Sequence, residues 1–282
     1  MNSDIEEDLF YSTYQIEMER ILRGNDLFFH FEQAVGKVML LYDNNKLSFL
    51  DSNEGNFAKE VLARMLEESA GYIGCLKQGA FFVANHHTRA LIELFASTFK
   101  CFKIGNKKRY LERFIRFPEI EFHKISIKDK KALFGVSEDL LKKLFKQYEK
   151  LDPELLLIFK KDTIEELLEI KNWRGDDCGI KNMIEELPYK VTHLKNYDIL
   201  CLYTHFSSLL RCSETNFFSS FSAMDRLMLA ITINYALNTC FFLQDEKFFD
   251  EKSIKKLKEV FFPVFSALSP ELKPCTSKSN KN

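Results

Sequence analysis

A chain of 282 residues that is 46% hydrophobic with a formal net charge of −1 can bury a sizeable core, which excludes an intrinsically disordered protein. Its seven Cys include no Cys-x-x-Cys pair, which argues against a disulfide framework or a four-thiolate zinc site and for reduced core thiols. The acidic start over residues 1–8 lacks the basic and apolar segments of an export signal, so the expected location is cytoplasmic.

Ten Gly and six Pro are few for this length, and the first Pro is Pro118, so long helices are favoured throughout the first part of the chain. Apolar residues at 9, 10, 14, 16, 18, 21 and 22, followed by Gly24, predict a helix over 5–23. Asp26 can cap a second helix over 27–42, and residues 43–55 hold two turn-forming clusters around an ambiguous stretch at 46–50. A third helix over 56–76 carries Phe57, Val61, Leu62, Met65 and Leu66 on one side. The fourth, over 80–102, is the most apolar of the first half, yet contains the polar run Asn85-His86-His87-Thr88-Arg89 followed by Glu93.

After Gly105 a basic helix is expected to end at Phe117, because Pro118 restricts the residue before it. Residues 119–136 read as linker, 137–151 as a capped helix, and Asp152-Pro153-Glu154 as the start of another, with a break at Asp162-Thr163 before residues 164–171. A polar loop around Trp173, short helical text from 180 to 187, and helices over 194–210, 216–243 and 253–268 complete the order. The apolar stretch 227–243 is interrupted by Thr232, Asn234, Asn238 and Thr239 and is shorter than the ~20 residues of a membrane span, so it reads as a buried helix.

Residues 100–150 hold 15 Lys and Arg against 7 Asp and Glu, an excess of +8, so the rest of the chain carries −9. Such a segment, with Lys107, Lys108 and Arg109 at its head, suits a polyanion such as RNA, and equally suits the solvated outer face of an amphipathic helix. Phosphate-binding loops, dinucleotide fingerprints, nucleophile elbows and His-Glu-x-x-His metal motifs are missing, and no cofactor or metal is expected.

Three constellations remain. His86, Arg89 and Glu93 are spaced i, i+3, i+7 and share a helix face. A guanidinium held by a carboxylate can anchor phosphate beside a proton-transferring His, or the same pair can fix helix register. His193, Tyr197, Cys201 and His205 run in four-residue steps, but each step drifts ~40° around the helix, so one helix cannot close a metal site from them. Arg23 to His30 and Arg116 to His123 match an Arg, four to six residues, then His spacing found in metal-independent helical ribonucleases.

Thr88-Arg89-Ala90-Leu91-Ile92-Glu93, the midchain Trp173-Arg174-Gly175, and Tyr197 to Ser208 with His205 and Ser207 together resemble an uncharacterised bacterial all-helical family. That family is similar in character to the HEPN-like domains, several of which cut RNA in toxin–antitoxin and phage-defence systems. The resemblance covers residues 57–210, with Cys201 and Phe206 departing from its late motif. It implies an all-helical fold and two functional readings. One is a metal-independent ribonuclease or RNA-associated factor, with Arg89 binding phosphate, Glu93 beside it and His205 as acid or base. The other is a non-catalytic interaction or sensor module whose polar residues form a structural network.

The expected fold is all-α, a multi-helix bundle around a central pair of apolar helices, 80–102 and 194–210, in one domain over 1–269 with a disordered tail over 270–282. Arg89, Glu93 and His205 are expected to meet, with Trp173, His86, Tyr203 and Ser207 as further site candidates. Partners are expected to be RNA through residues 100–150, or a protein partner or second copy, without a membrane.

Overall fold

The computed structural model describes residue 22 and residues 24–103, 107–127, 146, 150–173, 179–204 and 223–268. The expected helices over 5–23 and 137–151 and the tail over 270–282 lie largely or wholly outside them. Among the described residues the fold is all-α, with ten helices and no strand. The helices are α1 (Asp26–Asp43), α2 (Asn53–Lys77), α3 (Phe81–Lys103), α4 (Lys107–Ile127), α5 (Glu154–Phe159), α6 (Ile164–Glu169), α7 (Ile180–Glu185), α8 (Lys190–Thr204), α9 (Ala223–Asp245) and α10 (Glu251–Ala267). The chain divides into two compact units, residues 1–98 with 184–282 and residues 99–183, where the sequence reading expects one domain.

In the first unit, α1 starts one residue earlier than its sequence signal, because Asn25 rather than Asp26 is the cap and accepts the Phe28 N–H at 3.0 Å. Phe28, Phe31, Val35 and Val38 then recur on one buried stripe. The caps of α2 and α10 are Ser52 and Asp250, which accept from the Gly55 and Ser253 N–H groups. The stretch at 46–50 pairs Phe49 with Phe249 in an isolated antiparallel bridge, their rings 4.8 Å apart. Ser253 Oγ accepts the Ser48 N–H at 2.9 Å, so the start of α10 is fastened to the end of the α1 loop.

Helix α9 is buried on nearly every side, as its apolar composition predicts, with Leu229, Ile233, Tyr235, Ala236, Leu237 and Cys240 all inaccessible. Its two core threonines do not leave orphaned hydroxyls: Thr232 donates to the Met228 carbonyl and Thr239 to the Tyr235 carbonyl, each one turn back.

In the second unit, α4 runs through Pro118, which corrects the expectation that the basic helix ends at Phe117. Proline removes one ladder bond and disfavours helix, but ties on both sides of it hold the helix to its neighbours. Arg116 reaches Glu119, one turn on, at 2.8 Å, Asp152 at 2.7 Å and Glu154 at 2.7 Å. Beyond it, Lys124 donates to the Ile170 carbonyl. Below these bonds Ile120, Leu155, Ile158, Phe159, Leu167 and Ile170 form a buried cluster. The Glu119 bond, opposed by burial and reinforced by Asp152, pushes the Arg116 guanidinium above its ordinary value. Asp152 is lowered, chiefly by the Glu154 N–H and then by Arg116.

Candidate functional site

Successive residues on a helix point ~100° apart, so a run of polar side chains on a central helix meets several neighbours rather than one. That is what the run in α3 does. His87 reaches back to α2, where its Nδ1 lies 2.7 Å from Glu68 Oε2. Thr88, fully buried, donates across to Thr232 of α9 at 2.7 Å. Thr232 Oγ already donates to Met228, so it accepts here; Tyr72 of α2 also bonds it, and burial pushes that phenol up. Arg89 and Glu93 turn to α8.

There, Arg89 Nε donates to Glu93 Oε1 at 3.0 Å and its Nη2 to the Tyr197 hydroxyl at 3.2 Å. Tyr197 in turn donates to the same Glu93 oxygen at 3.3 Å, closing a triangle between α3 and α8. The guanidinium carbon stands 5.4 Å from the Tyr197 ring centroid. Tyr197 is buried, whereas the Arg89 and Glu93 side chains are 29% and 32% exposed, so the pair has one edge in solvent. Burial, and then the Glu93 charge, push the Tyr197 phenol up to about 12. It therefore stays a neutral donor at neutral pH. Burial acts to lower the Arg89 guanidinium, but the Glu93 hydrogen bond and the nearby charges outweigh it and raise it.

Of the sequence candidates, Arg89 and Glu93 meet as expected, and the third member is Tyr197. His205, Ser207 and Gly175 lie outside the described residues. Tyr203 sits near the end of α8, and Lys107, Lys108 and Arg109 open α4, each placed by backbone alone. His86 is exposed. Trp173 belongs to the second unit, where its ring meets the edge of Phe114 at 5.4 Å.

The run His193, Tyr197, Cys201 splits as its drift predicts. Whereas Tyr197 faces Arg89, His193 is buried against α9, its Nδ1 2.5 Å from the Tyr235 hydroxyl. A second bond joins the imidazole to Pro188, whose only backbone polar group is its carbonyl, so the ring donates there and accepts from Tyr235. Phe95 completes the aromatic cluster, 6.1 Å from the imidazole and 6.0 Å from the phenol. Burial lowers the His193 pKa, and the Pro188 bond only partly opposes it.

A depressed native pKa means that the unfolded chain binds the proton first. The contribution is complete above the ordinary His value of ~6.5 and is lost as pH falls below it. The melting temperature should therefore drop between pH 7 and pH 5 more steeply in the wild type than in His193→Gln, which cannot titrate. Parallel pH profiles would contradict a buried neutral His193.

Sequence reasoning passed over the His87–Glu68 pair in favour of His86. The available signal was Gly71 inside α2, one turn beyond Glu68. A Cβ there would lie 2.4 Å from His87 Cε1 and 2.8 Å from each ring nitrogen, so the imidazole occupies the space that glycine leaves. Of the two ribonuclease-like spacings, Arg116 is engaged by three carboxylates and His123 is buried. Arg23 lies outside the described residues, and His30 is half-buried beside Phe29 at 5.8 Å between centroids.

No protein-family model matches the chain, and neither a curated protein nor a solved structure matches it.

Proposed function

We propose that the chain is a non-catalytic helical interaction or sensor module, in which Arg89, Glu93 and Tyr197 are a register lock between α3 and α8. The observation that carries this reading is the closed triangle: one carboxylate oxygen accepts from both the guanidinium and a buried phenol. A carboxylate and a phenol held in this way are spent on helix packing. The phenol, at about 12, is also far from the near-neutral value that suits proton transfer.

The second reading, a metal-independent ribonuclease or RNA-associated factor of HEPN-like character, is favoured by the solvent-facing edge of the Arg89–Glu93 pair. In it Arg89 binds a phosphate, and His205, beyond the end of α8, is the acid or base. The basic segment 100–150 guides RNA, as its excess of Lys and Arg suits.

RNA cleavage by the purified chain in chelator separates the two. The module reading expects no cleavage, and RNA binding that is either absent or unchanged when Lys107, Lys108 and Arg109 are neutralised, whereas an RNA-binding surface would bind more weakly and with a flatter salt dependence. Cleavage that disappears in His205→Ala, with the fold intact, would replace it with the ribonuclease reading.

A further inference from the structure

We propose that His87 is a phosphoryl-acceptor site, with Glu68 and Gly71 as its positioning residues and Arg64 as the counter-ion. These side chains are separate from the Arg89 triangle, and the inference does not rest on the function assigned to it.

The chemistry begins with the tautomer. Glu68 is buried, its Oε1 bound by Arg64 at 2.5 Å and its Oε2 by His87 Nδ1 at 2.7 Å. A carboxylate with a guanidinium on one oxygen is acceptor-only, so Nδ1 carries a proton, and in the neutral ring that leaves the lone pair on Nε2. Among the described residues Nε2 has no hydrogen-bond partner. The imidazole side chain is 29% exposed.

Gly71 bears on the ring edge that carries Cε1 and both nitrogens. Any other residue at 71 would place a carbon 2.8 Å from Nε2 and 2.4 Å from Cε1, pushing the ring off Glu68. A helix interior is also a poor place for glycine, so its presence is matched by what it leaves room for.

Arg64 supplies the anion partner. Its side chain is 60% exposed and bridges Glu68 and the exposed Glu67, at 3.3 Å to the latter. In the transfer, the Nε2 lone pair forms the N–P bond while the bond from phosphorus to the donor's leaving group breaks, and that group departs with the electron pair. The Nδ1 proton passes to Glu68, so the ring stays neutral and the carboxyl becomes neutral too. Arg64 then loses the negative charge it faces on Glu68 and turns its guanidinium toward the phosphoryl oxygens. The donor class is a phosphoramidate or an acyl phosphate, reactive enough to transfer to an imidazole without further activation.

The test uses the full-length chain and potassium phosphoramidate, with the acid-labile adducts mapped by mass spectrometry over time. His86, the exposed neighbour on the same helix, is the internal control. His87 is expected to be phosphorylated about tenfold faster than His86, and Glu68→Gln should reduce the His87 rate by roughly 10-fold while leaving His86 unchanged. Gly71→Ala should reduce it as well with the helical spectrum retained, since alanine is the better helix former. Equal rates at His86 and His87 in the wild type, which needs no variant to fold, would overturn the proposal. So would a Glu68→Gln protein of native melting temperature whose His87 reacts as fast as before.

Discussion

Arg113→Ala is expected to be the most damaging single truncation in the second unit, costing about 3–5 kcal/mol. Arg113 is only 2% exposed, and its guanidinium donates to the carbonyls of Ile158 at 2.9 Å and Phe159 at 3.2 Å. Those carbonyls close the last turn of α5, where no further residue of the helix can reach them. The guanidinium carbon also stacks 5.4 Å from the Phe159 ring. Truncation strands two buried acceptors at ~1–3 kcal/mol each and removes the apolar stem that packs with them. Arg113→Lys keeps one donor and should recover part of the loss. Urea unfolding of the two variants checks this, and an alanine variant within ~1 kcal/mol of wild type would contradict it.

Gly55→Ala should cost about 2–3 kcal/mol, although alanine favours helix over glycine by ~1 kcal/mol at ordinary positions. The added Cβ would fall 1.9 Å from the Leu50 carbonyl oxygen, a backbone atom with no rotamer to change. Leu50 cannot retreat freely. Its N–H donates to the Phe248 carbonyl at 3.0 Å, and the Asp250 N–H donates to Ser48 at 3.1 Å, so moving it disturbs the seam between the α1 loop and the start of α10. Gly74, with open space around its own Cβ position, is the control: alanine there should be neutral or stabilising. A thermal melt in which both variants gain stability would contradict the close approach at Gly55.

Helix identity was legible in the sequence because it depends on local spacing. The stripe Phe28, Phe31, Val35, Val38 and the apolar run of α9 both announce themselves by periodicity and composition. Pro118 misled because its cost, ~3 kcal/mol in a helix interior, is local, whereas what holds α4 through it, the buried cluster with the Arg116 bonds, comes from residues 36 and more positions away. The polar run of α3 was legible as unusual for a core helix, and the Arg89–Glu93 pair followed from its four-residue spacing. Its partners were not. Which neighbour each of His87, Thr88 and Arg89 would meet depends on three other helices, and adjacent residues a third of a turn apart cannot reveal that. Tyr197 was in view as one of a row of four-residue steps, but the drift of that row sends His193 to α9 and Tyr197 to α3, a division visible only once the helices are packed.

The central claim, that the Arg89 triangle fastens α3 to α8, is tested most directly by a double-mutant cycle of Arg89→Ala and Tyr197→Phe followed by thermal unfolding. With about a third of the Arg89 and Glu93 side chains in solvent, each single change should cost about 1–2 kcal/mol, less than a fully buried ion pair would. Because the two groups share one acceptor oxygen, the double variant should lose less than the sum, with a coupling of at least ~0.5 kcal/mol. Additive losses, or an Arg89→Ala protein as stable as the wild type, would contradict the lock.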